Sequence, residues 1–423
     1  MKKKILFLLV VIAVVLSISS CSQEMESTET HFQDNLNTFV SMDDARVELQ
    51  TLLNTIDGKE TRGEKGVRKI AQSFTISHLS STRSEGCDSL ILYVFNFEND
   101  EGYALMSGDS RLPSLLALTE NGHLDIEGDN EVCSGVGSYY ENLNDYIVDL
   151  QPFPDTGLGE DDYVLYGPWQ NILYNGATCV VKWRQSSPYN SVINTMKGEN
   201  YLTGCVATAV AQLMSVYKFP NSYDGAVYNW SEMTKYLRAE SCSEEAKNQI
   251  ATLMYQLGLE KNLDVSYGIT ASGAPISNIP RTFSAMGYSK SGEVVNFDTQ
   301  TLIDELKAGY PLIVSGFCYR SRMSMMGIKF SYKYSSGHAW LAHGLLERRR
   351  EIKRYDKNGN LRFTSKESVY YPRYNWGWDN GSDGYFLADV FKPENKSFED
   401  NTRSEGEENN FQFNTKLVIN IRK

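Results

Sequence analysis

The spacing of apolar residues along the N-terminal part of this chain predicts one helix followed by several strands. After Ser41, two acids and then an apolar residue every three or four positions indicate a helix capped by Ser41. Apolar runs at 90–97, 103–106 and 115–118, separated by turn residues, indicate strands. A helical pattern follows at 139–150. These segments predict a small unit that contains both helices and strands.

The second part of the chain, from about residue 163, has helical patterns first and strand patterns afterwards. From Val206 to Tyr217 apolar residues recur at i, i+4, i+7 and i+11, which predicts a buried helical face behind Cys205. Another helix is predicted around 244–257. Strand patterns follow at 312–317, 338–345, 367–374, 384–386 and 415–421. Helices that precede a run of strands predict an α+β fold.

The first residues have the pattern of a bacterial export signal. Three lysines at 2–4 precede an apolar run over 5–16, which is too short to span a membrane. Ile18-Ser19-Ser20-Cys21 fits a lipobox, which predicts that Cys21 is lipidated; an ordinary secretory signal is the alternative. With either signal, we expect the mature chain to work outside the cytoplasm.

These patterns divide the chain into five parts. The predicted boundaries are 1–20 for the signal peptide, 21–37 for a flexible tether, 38–150 for the N-terminal unit, 151–165 for a linker and 166–423 for the second domain. The linker is rich in Pro, Gly and Asp, which predicts an exposed segment that proteases cut easily.

Composition excludes several classes of function. The 423 residues include 41 Lys and Arg against 53 Asp and Glu, so no basic excess is available to bind nucleic acid. The seven cysteines are scattered without a CxxC pair, and no HExxH motif is present. The sequence therefore predicts no metal site, no cofactor and few or no disulfides.

Cys205 is the first candidate for chemistry, because it is predicted to begin a helix. A thiol at a helix N-terminus lies near unpaired backbone N–H groups and the positive end of the helix dipole. That position favours the thiolate, which is the nucleophilic form. The alternative is a buried cysteine that only packs, which is the commoner role of a free thiol.

Further candidates are the partners that a thiol nucleophile needs. His338 and His343 share the region of Cys205, and their spacing of five puts them on opposite faces of an extended strand. Asn375 can orient an imidazole and Trp376 can shield that bond from water, although the segment is also typical of an aromatic hairpin. Gln185 offers an amide to an oxyanion; the alternative is a surface glutamine.

Taken together, these residues resemble the streptopain family of papain-like cysteine peptidases. The order Gln, Cys, His, Asn-Trp is the order of that family, and 107–111 with 115–118 resembles its propeptide. The matching segments are KWRQSSPYN at 182–190, TGCVATA at 203–209, GHAW at 337–340 and NWGW at 375–378.

The resemblance implies a zymogen in which residues 38–150 are an inhibitory prodomain that occupies the cleft. By position, it implies Cys205 as nucleophile, His338 as general base, Asn375 and Trp376 as support for His338, and Gln185 in the oxyanion hole. Residues implied to line the substrate cleft are Tyr267, Gly268, Ser315, Gly316 and Gly337. Two stretches, 317–334 and the basic 347–366, are expected to be longer loops than is usual in the family.

The expected partners are protein or peptide substrates, the chain's own prodomain and a membrane reached through the Cys21 anchor, at the outer membrane or cell surface. Two alternatives remain open from the sequence. One is a catalytically silent relative that acts as an adhesin, and the other is a protein whose N-terminal unit serves as a protease inhibitor.

Overall fold

The computed structural model describes residues 38–59, 66–78, 90–124, 143, 162–174, 179–325, 328–378, 383–390, 404–406, 411 and 413–423. The predicted signal peptide, Cys21 and the tether lie outside the described residues, as do most of 139–150 and most of the linker. In the described part of the chain, no helix combines the length and apolarity needed to cross a membrane.

Seven α-helices and fifteen strands are defined in the described residues. The helices are α1 Met42–Lys59, α2 Ser191–Lys197, α3 Cys205–Tyr217, α4 Trp230–Met233, α5 Glu244–Leu257, α6 Ile279–Ala285 and α7 Thr299–Lys307. The strands are β1 Ile70–His78, β2 Leu90–Phe97, β3 Tyr103–Ser107, β4 Leu115–Thr119, β5 Tyr163–Tyr166, β6 Gln170–Tyr174, β7 Ser222–Tyr223, β8 Ala226–Val227, β9 Lys290–Asn296, β10 Leu312–Met325, β11 Ile328–Tyr355, β12 Leu361–Asn375, β13 Gly384–Phe386, β14 Ser404–Gly406 and β15 Phe413–Arg422.

One large antiparallel sheet runs through both parts of the chain. Its order is β1-β2-β3-β4-β13-β12-β11-β10-β15-β9, with β5 and β6 on β11 and β14 on β10. The N-terminal unit joins the second domain where β4 pairs with β13, for example at Leu118 opposite Tyr385. Helix α1 begins as the sequence predicts, because Ser41 Oγ accepts the Asp44 N–H at 3.1 Å. This mixture of helices and strands confirms the α+β class.

The sheet separates two hydrophobic cores. Along β11, Trp340 and Ala342 enter one core, while Ala339 and Leu341 enter the other, as the period of two in a strand requires. The first core also contains the side chains of α1 and of β2–β4, so the N-terminal unit and the second domain share it. The second core holds the inner faces of α3, α5 and α6. The start of α3 is thus fixed against one face of β11.

The expected loops at 317–334 and 347–366 are largely strand, so that expectation is wrong. Strand β10 continues to Met325 and pairs with the first part of β11, while the second part of β11 pairs with β12. The basic segment is stable as a strand because β5 and β6 pair with its other edge. Arg348 and Arg350 are buried there, with partners from distant parts of the chain.

Candidate active site

Cys205 is the first residue of α3, and glycine is required immediately before it. Gly204 has φ +90°, and a Cβ there would lie 3.0 Å from the carbonyl oxygen of Ser272. Gly204 is the N-cap residue and has no side chain, so it does not cap the first backbone N–H groups of the helix. The helix start therefore presents backbone donors next to the thiol.

The Cys205 sulfur lies against β11 beside the residue that follows His338. Burial raises the pKa of the Cys205 thiol, while hydrogen bonds from the backbone N–H groups of Ala339 and Val206 act to lower it. Burial is the larger effect in this conformation. The group is therefore a neutral thiol near pH 7.

The segment that leads into Cys205 is held by two of the regions predicted from the sequence. The carbonyl of Gln185 accepts the N–H of Thr203 at 3.0 Å, and the carbonyl of Gly268 accepts that of Leu202 at 3.2 Å. Gly268 N–H in turn donates to Ser272 Oγ at 2.9 Å, which closes a loop at residues 267–273. Gln185 and the loop that carries Tyr267 and Gly268 therefore flank the start of α3.

His338 lies buried on β11, and one backbone carbonyl determines which of its nitrogens carries hydrogen. His338 Nε2 is 2.9 Å from the carbonyl oxygen of Trp376. A carbonyl only accepts, so Nε2 carries the proton and Nδ1 is the acceptor of the neutral ring. Burial lowers the pKa of His338 to about 3, against the raising effect of the Trp376 carbonyl.

The His338 ring is surrounded by aromatic side chains. Trp378 stacks on it with a centroid distance of 3.9 Å and an interplanar angle of 30°, and Phe411 and Trp340 lie at 5.3 and 6.0 Å. The hydrogen bonds of the described residues do not join the Cys205 thiol to the His338 ring in this conformation.

The hydrogen bonds of the Asn375 side chain go to residues other than His338, so the expected support differs from the observed one. Asn375 Nδ2 donates to the carbonyl of Val181 at 2.8 Å, and its Oδ1 accepts from Gln212 Nε2 at 2.8 Å and from Gly377 N–H at 3.1 Å. The side chain thus fixes residues 375–378, called the Trp376 loop below, to α3. The neighbouring Trp376 supplies the acceptor through its carbonyl, and the ring that stacks on His338 belongs to Trp378.

His343 has a separate environment, at a bulge where β11 shifts register against β12. Its Nδ1 accepts the N–H of Cys179 at 3.1 Å. Burial, reinforced by the positive charge of Arg373, lowers the pKa of His343 to about 3. The Cys179 sulfur contacts carbonyl oxygens, and burial raises its pKa to about 11.

The remaining residues predicted for the cleft lie beside His338. In the pairing of β10 with β11, Gly316 lies opposite His338, Ser315 opposite Ala339, and Phe317 opposite Gly337. A Cβ on Gly316 would lie 2.1 Å from the carbonyl oxygen of Phe411, so this side of the strand is covered by Phe411.

Sequence reasoning missed three residues of the site. Gln212 carried a usable signal, because a glutamine seven residues after Cys205 lies on the same face of an otherwise apolar helix. Trp378 belongs to the NWGW motif but was not singled out. Phe411 has no local signal. In the described part of the chain, no cluster of His, Cys, Asp and Glu is suited to hold a metal ion.

The N-terminal unit is anchored to the second domain by buried polar contacts as well as by the shared core. Arg348 donates to Ser114 Oγ at 2.8 Å and to Glu48 Oε1 at 2.5 Å, and Arg350 donates to the carbonyl of Ser110 at 2.6 Å. Tyr371 OH donates to the carbonyl of Leu115 at 2.7 Å, and a further cluster surrounds Glu120. These contacts connect the N-terminal unit to the strands that carry the candidate site.

Comparison with known families assigns both parts of the chain. Residues 183–386 match the Peptidase C10 family, and residues 37–146 match the Spi protease inhibitor family. Streptopain of Streptococcus pyogenes serotype M1 is 24% identical over 345 residues, which cover 71% of this chain and 75% of streptopain.

Other relatives agree with that assignment. The thiol protease/hemagglutinin PrtT of Porphyromonas gingivalis is 23% identical over 339 residues, 72% of this chain but 35% of that protein. A fragment of Prevotella intermedia prointerpain A superposes with a TM-score of 0.50 and 20% identity over 84% of this chain and 99% of the fragment, which shows a common fold. The chain is therefore the precursor of a papain-like cysteine peptidase of the streptopain family, with an N-terminal prodomain of the Spi inhibitor type.

Proposed function

We propose that this zymogen matures to an endopeptidase in which Cys205 is the nucleophile and His338 is the general base. Trp376 orients His338 through its carbonyl, Asn375 holds the Trp376 loop to α3, and Gln185 contributes to the oxyanion hole. The observation that carries the proposal is the bond between His338 Nε2 and the Trp376 carbonyl. This bond uses Nε2 and leaves Nδ1 of His338 as the basic nitrogen. The next residue on β11, Ala339, contacts the Cys205 sulfur through its backbone N–H.

In the acylation step, His338 Nδ1 takes the proton of Cys205 and the sulfur attacks the carbonyl carbon of the scissile peptide bond. The oxyanion of the tetrahedral intermediate accepts from the Cys205 N–H at the start of α3 and from the Gln185 amide. His338 then gives the proton to the leaving amine, and the C–N bond breaks to leave a thioester.

In the deacylation step, His338 takes a proton from water, and the hydroxide oxygen attacks the thioester carbon. Collapse of the second intermediate breaks the C–S bond, releases a carboxylic acid and returns the proton to the Cys–His pair. In the precursor, burial favours the neutral forms of both Cys205 and His338. Bringing the two groups into contact favours thiolate and imidazolium, because each charge then stabilises the other.

The proposal includes where the enzyme works and what restrains it. The prodomain inhibits in cis, and cutting within 151–165 starts maturation. Cys21 carries a lipid that holds the protein at the outer membrane or cell surface, and maturation releases the peptidase from that anchor. The substrates are proteins or peptides.

The decisive experiment compares the wild-type precursor with Cys205→Ala. We expect the wild type to lose its prodomain and to hydrolyse a fluorogenic peptide library, while Cys205→Ala stays full length and inactive. Adding a trace of mature wild type to Cys205→Ala controls for folding, because a folded precursor is then cut in the linker. Normal self-processing of Cys205→Ala would refute the proposal.

Lipidation is tested separately by expressing Cys21→Ser in a bacterium that lipidates exported proteins. We expect the variant to move from the membrane fraction to the soluble fraction, with loss of the lipid mass at the mature N-terminus. A variant that stays with the membrane would remove the lipoprotein assignment and leave the peptidase assignment intact.

A further inference from the structure

Four ionisable side chains from both domains meet in one buried cluster beside the Trp376 loop. Glu120 of the prodomain lies 3.3 Å from Lys182 Nζ and accepts a 2.5 Å hydrogen bond from Arg373 Nε. Asp383 lies 3.5 Å from the same Lys182 Nζ. The side chains of Glu120 and Asp383 are each 7% exposed, so the cations of the cluster, rather than water, compensate their charges.

The cluster reaches the general base through two hydrogen bonds. Asp383 Oδ1 accepts the N–H of Trp376 at 2.9 Å, and the carbonyl of Trp376 accepts from His338 Nε2 at 2.9 Å. The two bonds hold the peptide planes on either side of the Trp376 Cα, so Asp383 fixes the plane that precedes the one whose carbonyl accepts from His338. The bond to Asp383 is charge-assisted, and it is strongest when the carboxyl is ionised.

We propose that Asp383 and Lys182 are positioning residues that direct the Trp376 carbonyl towards His338, and that Glu120 of the prodomain competes with Asp383 for Lys182. This inference rests on the proposed role of His338 as the base. In the precursor, Lys182 is shared between two carboxylates. Once the prodomain has left, Asp383 is the carboxylate of the cluster that remains for both cations.

The electrostatics of the cluster support this competition. Burial raises the pKa of Asp383, Lys182 lowers it, and the negative charge of Glu120 raises it again. Loss of Glu120 therefore favours the ionised form of Asp383, which is the better acceptor. His343 and Cys179 also face the cluster, and burial keeps both neutral near pH 7, with pKa values of about 3 and about 11.

The positioning role is tested on mature enzyme prepared by adding trace wild-type peptidase to each precursor. Asp383→Asn should lower kcat about 10- to 100-fold with little change in KM, because the base is misdirected while the substrate cleft is intact. It should also shift the pH profile of Cys205 alkylation by iodoacetamide, which reports the thiolate–imidazolium pair. Asp383→Glu should restore part of kcat.

Two comparisons keep this test decisive. Asp356→Asn makes the same chemical change in the turn between β11 and β12, and both readouts should match wild type. If Asp383→Asn does not fold, Lys182→Gln tests the same arrangement with a smaller expected loss of kcat. Wild-type kcat and alkylation profile in a folded variant of either residue would overturn the positioning role.

The competition is tested in the precursor with Glu120→Gln. We expect self-processing to be several-fold faster, with Glu98→Gln, an exposed prodomain carboxylate, processed at the wild-type rate. A wild-type rate for Glu120→Gln would overturn the competition. Activity in Cys205→Ala would refute the proposed function itself, whereas an inactive Cys205→Ala beside an unaffected Asp383→Asn would refute only the positioning role.

Discussion

The peptidase domain brings two cysteines near strand β11, and the hydrogen bonds around their sulfur atoms differ. Backbone N–H groups, including those of Val206 and Ala339, point at the Cys205 sulfur and stabilise its thiolate. The Cys179 sulfur lies 3.4 Å from the carbonyl of Val181, to which its thiol donates, although hydrogen bonds from Ser215 and from the Val181 backbone also act to lower its pKa. Burial raises the pKa of both thiols, so burial alone does not distinguish them.

The two histidines differ more clearly, in which ring nitrogen is left as an acceptor. His338 donates from Nε2 to the Trp376 carbonyl and keeps Nδ1 as a base. In His343, by contrast, Nδ1 accepts the N–H of Cys179. Burial lowers the pKa of each ring to about 3. For the histidines, therefore, the direction of the hydrogen bond, rather than burial or pKa, determines whether Nδ1 remains a proton acceptor.

The largest expected difference is in activity. His338→Ala should lower kcat by about 10³-fold or more, because it removes the proposed general base. His343→Gln should keep kcat within about threefold, since the hydrogen bond of its ring goes to the Cys179 N–H and not to Trp376. Steady-state hydrolysis of one fluorogenic peptide by the two mature variants checks this. Equal losses in both would erase the distinction between the two histidines.

Thiol reactivity should separate the two cysteines next. A thiol with a pKa of about 11 is ionised in only about one molecule in 10³ at pH 8, so Cys179 should resist alkylation. Mature enzyme treated with iodoacetamide and digested for mass spectrometry should carry the label on Cys205 at least about 100-fold faster. Faster labelling of Cys179 or Cys318 would assign the reactive thiol elsewhere.

A smaller effect is expected for the loop that supports His338. Asn375→Ala removes the bonds to Val181 and Gln212 and should lower kcat about 10-fold while the thermal midpoint also falls. Gln212→Leu should have the same direction of effect, because it breaks the same link to α3. Steady-state kinetics and differential scanning fluorimetry on both variants measure these effects. An unchanged kcat would show that the position of the Trp376 loop does not depend on the hydrogen bonds of Asn375 and Gln212.

The smallest difference concerns stability and its dependence on pH. A buried neutral His with a native pKa of about 3 and an unfolded pKa near 6.5 destabilises the fold as pH falls from about 6.5 towards 3, because only the unfolded chain takes up the proton. His343→Leu should cost about 1–3 kcal/mol at pH 7, since it leaves the Cys179 N–H unpaired. The variant should also lose stability less steeply than wild type as the solution is acidified.

Denaturant unfolding of mature protein at pH 7 and pH 5 measures both effects of His343→Leu. His343→Phe serves as a second apolar replacement of larger volume. The same acid slope in wild type and both variants would mean that His343 does not remain neutral in the fold.

The sequence predicts the elements that carry local periodicity. The apolar face of α3 locates Cys205 at its start, and the apolar runs on β2–β4 and on the centre of β11 give strands near their observed positions. Those signals depend on neighbours within one turn or one strand.

Features that depend on distant partners were not predictable in this way. Arg348 and Arg350 interrupt the apolar pattern that would predict a strand in this part of β11. Both are buried, because acceptors from the N-terminal unit satisfy their guanidinium groups. The role of Trp376 was predicted for its side chain, whereas its carbonyl faces His338. A backbone acceptor has no residue-type signature. The Glu120 cluster likewise combines charges that are unremarkable until the sheet brings them together.

The shared hydrophobic core has a consequence for how such a precursor becomes active. Strand β4 hydrogen-bonds to β13, and side chains of α1 lie in the same core as Trp340. Hydrolysis of the linker removes one covalent connection and none of these contacts. The nicked product is then a tight two-chain complex, and the appearance of activity follows the lifetime of that complex rather than the moment of cleavage.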